Sequence, residues 1–439
     1  MASRSLLSPE AVREPERFFA RLRAEEPVSW NEQHRAWVVT RHADVVAALR
    51  GPHLTAERIR PFRERADPPA GSVLDRSLAV LERWLVFKDP PDHERLRRLV
   101  SRAFTPSIVR ARASQIAALV DGLLDDLDDA AGASSTAVDL VQRFAYPLPA
   151  VVIAEMLGVP AGDRDRFKAW SDQLTTMVFG AHDRPDRFEV GAGGLSELAA
   201  YLADLVAHYE RHPADNLITV LLTREGDDAL DRDELVATAT LLLFAGHETT
   251  TNLLANATLA LLRAPGEAKR LRQDPALLPS AVEEFIRFDG PAKATMRLVA
   301  QDHDFAGAPF RRGDRVFLMN CAANRDPAEF PDPDVLDVGR HPNPHVGFGF
   351  GLHFCLGAPL ARLEVACAVG RLLARFPDLA LADEPLDWHP TVLSRALLRL
   401  PVLVSGRRRR SPAGPGRSAM GTLEASPAPV AQVDRAADF

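Results

Sequence analysis

The stretch "FGFGLHFCLG", Phe348 to Gly357, decides how this chain is read. With Gly347 before it, one cysteine and one histidine stand among glycines at 347, 349, 351 and 357. Glycine permits left-handed or tightly bent backbone and lets the main chain approach a flat partner closely. Cys355 leads into "LGAPLARLEVACAVGRLLARF", an amphipathic helix with Pro359 in its first turn, where proline is tolerated. The thiol is therefore expected at a helix N-terminus, where free N–H groups and the positive dipole end should lower its pKa. A thiolate held that way is a nucleophile or a metal ligand. A nucleophile needs a base and an orienting third group. His353 is two residues away, with nothing fixing it toward the sulfur.

The rest of the chain narrows the choice. Its 439 residues allow one large domain or two to three smaller ones. Apolar residues make up 46% and charged residues 26%, as in an ordinary soluble protein. A net charge of −7 argues against bulk attraction to nucleic acid or an anionic membrane. The start "MASRSLLSPE" has no long apolar segment, so no signal peptide is read. The longest apolar run, "LLLFAG" (Leu241 to Gly246), falls far short of the roughly 20 residues of a membrane span. A cytoplasmic protein is expected. Cys321, Cys355 and Cys367 are too few and scattered for a disulfide framework, and no CxxC pair marks a zinc site. Cys321 and Cys367 read as small core residues.

Most of the chain reads as helix. "PERFFARLRAE", "DVVAALR", "SQIAALVDGLLDDLDDA" and "GLSELAAYLADLVAHYERH" place apolar residues three and four apart. The segment from about Arg232 to Ala264 is apolar nearly all round, so it should run through the middle of the protein. Strand-like pieces are short: Arg35 to Thr40, Leu397 to Val404, and Asp304 to Met319, the last a hairpin turning at Gly307 and Gly313. "NRDPAEFPDPDVLD" (Asn324 to Asp337) is a Pro- and Asp-rich loop, ordered or flexible. After Gly406 the composition turns to Arg, Pro and Ala, which reads as a disordered tail over 406–439 beyond a single domain over 1–405.

A lone thiolate with no other Cys or His cluster suits haem iron above other metals, because the porphyrin supplies four positions. Here the stretch resembles the haem-binding loop of cytochrome P450s, F-G-x-G-x-H-x-C-x-G, at every fixed position. Three further motifs follow in the family's order. "EEFIR" puts Glu284 and Arg287 at i, i+3 on one helix face and resembles the family's E-x-x-R, with Arg340 in "LDVGR" matching its second arginine. Three such charges make sense together only if buried and mutually paired. "AGHETT" resembles the oxygen-activating segment. Gly246 leaves room for dioxygen, Thr249 can bond the carbonyl of Ala245, and Glu248 can carry protons. A zinc helix is not indicated, because the second histidine of H-E-x-x-H is missing. His93 and Arg97 of "DHERLRR", with Arg297 and His353, match the cations that hold the haem carboxylates, a role suited to arginine's planar fork.

The resemblance covers roughly residues 10 to 405. It implies a mainly α fold, a large helical domain with a small β-rich subdomain. It also implies haem b with Cys355 as axial thiolate, beside Phe348, Gly349 and Gly357. The implied activity is monooxygenation: one oxygen atom from dioxygen enters a C–H or double bond of a hydrophobic small molecule. A secondary-metabolite tailoring step is expected, with terpenoids, polyketides and fatty acids the usual classes. The chain has no dinucleotide motif and no iron–sulfur cysteines, so a ferredoxin with its reductase is the expected electron donor to a monomer. Arg97, Arg98 and Arg102 are candidates for the donor's docking face. By family position the pocket should draw on 60–87, 174–180, 242–245, 292–295 and 392–393. Leu243, Phe244, Ala292, Lys293 and Val392 stand out among these. Lys293 either points to solvent or binds a substrate acid group. Two rivals remain: a peroxygenase or isomerase of the same fold, against which the Glu248–Thr249 pair argues, and a non-catalytic haem sensor, which needs no proton relay.

Overall fold

The helix Arg232–Arg263 organises the molecule. Its start is fixed by a capping box, in which Asp231 accepts from the Glu234 amide and Glu234 accepts from the Asp231 amide. From Leu235 to Leu261 almost every residue is buried, whichever way it points. Such a helix must be wrapped by others. It is flanked by Pro147–Leu157, Arg187–Arg211, Leu278–Asp289 and Ala358–Arg375. These observations come from a computed structural model that describes residues 5–102, 104–132, 137–179, 185–223 and 229–404. The tail expected after Gly406 lies outside the described residues.

Sheets are a minor part. A five-stranded sheet runs in the order Val28–Asn31, Ala36–Val39, Arg315–Leu318, Thr295–Val299, Leu54–Thr55. All neighbours are antiparallel except Ala36–Val39 beside Arg315–Leu318. The segment 304–319 is more than the expected single hairpin. His303–Phe305 and Ala308–Phe310 do pair, turning at Gly307, but Arg315–Leu318 leaves them to join the larger sheet. That strand alternation buries Val316 and Leu318 against one cluster and Phe317 against another.

Arg187–Arg211 is long and apolar enough to cross a membrane by length and composition, which the run-length reading did not anticipate. Its apolar residues pack on Arg164–Val178 and Val73–Glu82, and its surface carries charges such as Arg211.

Candidate active site

Two turns of local chemistry build the Cys355 loop. Gly349 and Gly351 adopt φ of +75° and +67°, which L side chains rarely tolerate, so both positions call for glycine. The loop closes when the Cys355 amide donates to Phe348 O at 2.9 Å. The following helix begins only at Ala358, with Pro359 in its first turn. Contrary to the expected depression, burial raises the Cys355 thiol pKa. The amides of Gly357 and Ala358 and the charges of Arg97 and Arg362 oppose this without overcoming it. The cost of enclosing the sulfur is larger than the benefit of its helix end.

The loop is braced from behind. Glu284 and Arg287 are fully buried and joined by two bonds of 2.7 and 2.8 Å. Arg340 adds 3.2 Å contacts to both oxygens of Glu284, so the three charges expected to meet do so. Their remaining donors explain the order of the Pro- and Asp-rich loop. Arg287 donates to Asn324 O, Pro333 O and Val335 O; Arg340 donates to Pro331 O, Asp332 O and Val335 O. Carbonyls of an irregular loop are thereby satisfied; among the described residues only Asp332 O of these also accepts from a backbone amide, that of Val335. A second brace was not anticipated. Glu283 binds Arg362 at 2.6 Å and His345 at 3.1 Å, and Arg362 lies 4.7 Å from the Phe348 ring centroid. Burial raises the Glu283 pKa, yet the two hydrogen bonds prevail and hold it at about 2.

A cavity of about 320 Å³ lies between this loop and the central helix. Cys355, Phe348, Gly349, Gly357 and His353 form one wall, with His93 and Arg97. Ala245, Gly246 and Thr249 form the other. Thr249 Oγ1 donates to Ala245 O at 3.0 Å, as the spacing implied. Packing calls for a small residue at Gly246: a Cβ there would come within 2.9 Å of Ile153 Cγ1 on the neighbouring helix. Glu248 is not on the cavity wall. It is half-buried and accepts from Asn252 Nδ2 at 3.4 Å.

The cations fit a group with two carboxylates. His93 is buried, neither of its ring nitrogens has a hydrogen-bond partner, and its ring lies 4.2 Å from that of His353. Burial lowers His93 to about 4 and His353 to about 3, with Arg97 and Arg297 adding to both shifts. Burial likewise lowers Arg297 to about 10. Among the described residues Arg97 and Arg297 form no ion pair. A flat metal-bearing group with acidic arms would satisfy the thiol and these cations together. Arg97 turns into the cavity, whereas Arg98 and Arg102 are exposed.

The expected substrate residues need correction. Ala292 lines the cavity, but Leu243, Phe244, Lys293 and Val392 do not. The helical period puts Leu241, Leu242 and Ala245 on the cavity side. Leu243 faces the core, and Phe244 packs on Trp84 and Phe179, at centroid distances of 5.7 and 5.6 Å. Val392 belongs to the cluster beside the sheet. Lys293 neither points to solvent nor enters the cavity. It is 2% exposed, and Nζ donates to Ala11 O and Thr391 O. Of the segment 174–180, none of the described residues lines the cavity. Leu85, Val100, Phe104, Ile153 and Leu241 do, and only the 60–87 segment signalled the first of them.

A thiol wall, a small-residue helix turn and carboxylate-seeking cations define a haem-thiolate site. The family model for cytochrome P450 matches residues 196–387. The chain is 42% identical to the vitamin D(3) 25-hydroxylase of Pseudonocardia autotrophica, covering 90% of this chain and 94% of that protein. It is 37% identical to the cytochrome P450 monooxygenase PikC of Streptomyces venezuelae, covering 90% and 92%. The crystal structure of P450BioI in complex with hexadec-9Z-enoic acid ligated acyl carrier protein superposes with a TM-score of 0.82 at 36% identity, over 90% of this chain and 100% of that one. The chain belongs to the cytochrome P450 family. It has the mainly α fold of that family, binds haem through an axial cysteine thiolate, and is a monooxygenase that draws electrons from a redox partner and acts on hydrophobic molecules.

Proposed function

We propose that residues 1–405 form a single catalytic domain, cytoplasmic and monomeric, which hydroxylates or epoxidises an apolar molecule in a secondary-metabolite tailoring step. The observation that carries this is the cavity itself: a cysteine thiol on one wall, the Ala245–Thr249 turn on the other, and aliphatic side chains between them. Haem on a thiolate supplies the activation of dioxygen and the transfer of one oxygen atom. In this reading Cys355 Sγ holds the iron, and His93, Arg97, Arg297 and His353 hold the acidic arms. The Thr249 hydroxyl donates its one proton to Ala245 O, which leaves its oxygen as an acceptor that can hold a water at the cavity wall. Glu248, set back from the wall, supplies protons to that water. The apolar lining excludes bulk water and positions one carbon. Polyketide, terpenoid and fatty-acid skeletons fit such a lining; among the relatives, P450BioI is seen with an acyl chain on a carrier protein.

A ferredoxin is the proposed electron donor. Arg98 and Arg102 are exposed, as are Leu352 and Phe354 on the Cys355 loop, at 52% and 39%. Cationic and apolar surface of this kind suits an acidic partner that must dock and leave.

The test is an absorption titration of the ferric holoprotein with apolar metabolites, followed by product analysis with a ferredoxin and its reductase. A shift of the iron to high spin and an oxygenated product from the same compound support the reading. Thr249→Ala should then lower product formation by roughly 10²-fold with binding retained. A wild-type protein without a thiolate-type haem spectrum, or with a Cys355→Ser variant that keeps that spectrum, refutes it.

A further inference from the structure

Two arginines meet where one was expected. Arg297, on the strand Thr295–Val299, donates through Nη1 to Met296 O at 3.0 Å. Arg58 donates through its own Nη1 to the same oxygen at 3.3 Å. The two guanidiniums are therefore held within one carbonyl's reach of each other. Among the described residues neither forms an ion pair. Burial, together with the charge of Arg297, lowers Arg58 to about 9. Packing two like charges in a low-dielectric place is costly unless an anion lies between them.

The chain takes care to hold Arg58 there. Leu54 and Thr55 pair with Val299 and Leu298, which brings the following turn back over Arg297. Asp89 then locks the turn, because Thr55 Oγ1 and the Ala56 amide both donate to its carboxylate. Those bonds occupy the carboxylate whose charge reaches Arg297. Arg58 also lies 4.7 Å from the Phe87 ring centroid, next to Leu85 and Val86 of the cavity wall. Thr295, beside Met296, lines the cavity too. Arg297 in turn is close enough to His93 and His353 to lower both. The cations thus form one arc from Arg97 through His93, His353 and Arg297 to Arg58.

We propose that Arg58 and Arg297 together form a two-guanidinium seat for a carboxylate at the cavity edge. The proposal rests on the haem-thiolate reading above, and extends the cation set by a residue outside its motifs. The carboxylate has two possible sources: an acidic arm of the haem, or the acid group of a substrate. A planar fork is the suitable group in either case, since it gives paired charge-assisted bonds.

The experiment compares wild type, Arg58→Met and Arg58→Lys as haem-loaded proteins. Haem transfer to apomyoglobin and the ferric/ferrous potential report on the haem arm. Spin-shift titrations with dodecanoic acid and its methyl ester report on a substrate acid. If the seat holds the haem arm, Arg58→Met releases haem about 10-fold faster and Arg58→Lys lies between, with the acid-to-ester affinity ratio unchanged. If it holds the substrate, haem release is unchanged and the preference for acid over ester falls about 10-fold. Changes below about 2-fold in every readout overturn the seat. Should Arg58→Met not fold, Arg58→Lys decides alone, because loss of the planar fork must still move one of the readouts. A wild type lacking the thiolate haem spectrum sinks the functional reading and this one with it; a normal wild type with unresponsive Arg58 variants sinks only the seat.

Discussion

The two walls of the cavity are built on opposite principles. Behind Cys355, paired charges hold each other in fixed geometry: Glu284 with Arg287 and Arg340 in the interior, Glu283 with Arg362 and His345 nearer the surface. Across the cavity, aliphatic side chains arrive from separate segments, such as Leu85, Val100, Ile153 and Leu241, and line it without directional bonds. A charge in the interior needs a partner of one kind at one distance. An aliphatic lining needs only volume, and tolerates exchange of one such residue for another. The brace should therefore fail sharply on single substitution, and the substrate wall should adapt.

The sharpest break is at Glu284. Glu284→Gln keeps the shape but removes the charge that Arg287 and Arg340 share, leaving two buried cations without a counter-ion. A loss of about 3–5 kcal/mol is expected, read as a fall in the unfolding midpoint together with loss of haem absorbance. A variant within about 1 kcal/mol of wild type would mean that the carbonyls of residues 331–335 alone hold these arginines.

The same contrast sets what could be read from sequence. Glu284 and Arg287 were legible from their i, i+3 spacing, and Arg340 from its resemblance to the family's second arginine, because a buried charge network constrains its residue types. Cys355 and its glycines were legible because positive φ at 349 and 351 restricts the residue type. The long helix was legible from its unbroken apolar composition. The substrate wall was not. A continuous buried helix gives no polar face by which to orient it, so Leu243 and Phe244 could not be told from Leu241 and Leu242. Lys293 misled because a lysine beside a pocket reads as solvent-facing or ligand-binding, whereas its partners, Ala11 and Thr391, are remote in sequence and only folding brings their carbonyls together. Glu283 was overshadowed by its neighbour Glu284. Arg58 belonged to no motif.

Lys293 tests whether the substrate wall truly does without charge. Burial lowers it from 10.5 to about 8. The folded pKa lies below the unfolded one, so between these values the unfolded chain binds more protons and stability rises with pH. The rise amounts to roughly 3 kcal/mol across that window. Lys293→Met should flatten it, as urea unfolding at several pH values from 7.5 to 10.5 would detect. Substrate affinity should stay unchanged, because the side chain does not reach the cavity. A tenfold loss of affinity would place Lys293 back among the recognition residues.

Glu283 gives the smallest effect and separates the two braces. Its carboxyl is held at about 2 against 4.5 for a free one. Its contribution is therefore fully present above pH 4.5 and is lost as the pH falls through about 2. With Glu283 28% and Arg362 38% exposed, solvent screening reduces this to roughly 1–2 kcal/mol. Glu283→Gln should cost that amount at neutral pH and almost nothing near pH 2, so its acid-unfolding curve should be shallower than that of wild type. Because Arg362 also rests on the Phe348 ring, haem should dissociate somewhat faster from the variant at pH 7. Parallel acid curves would show that the outer brace adds nothing to the buried one. Converging curves with unchanged haem release would show that it stabilises the fold without steadying the Cys355 loop.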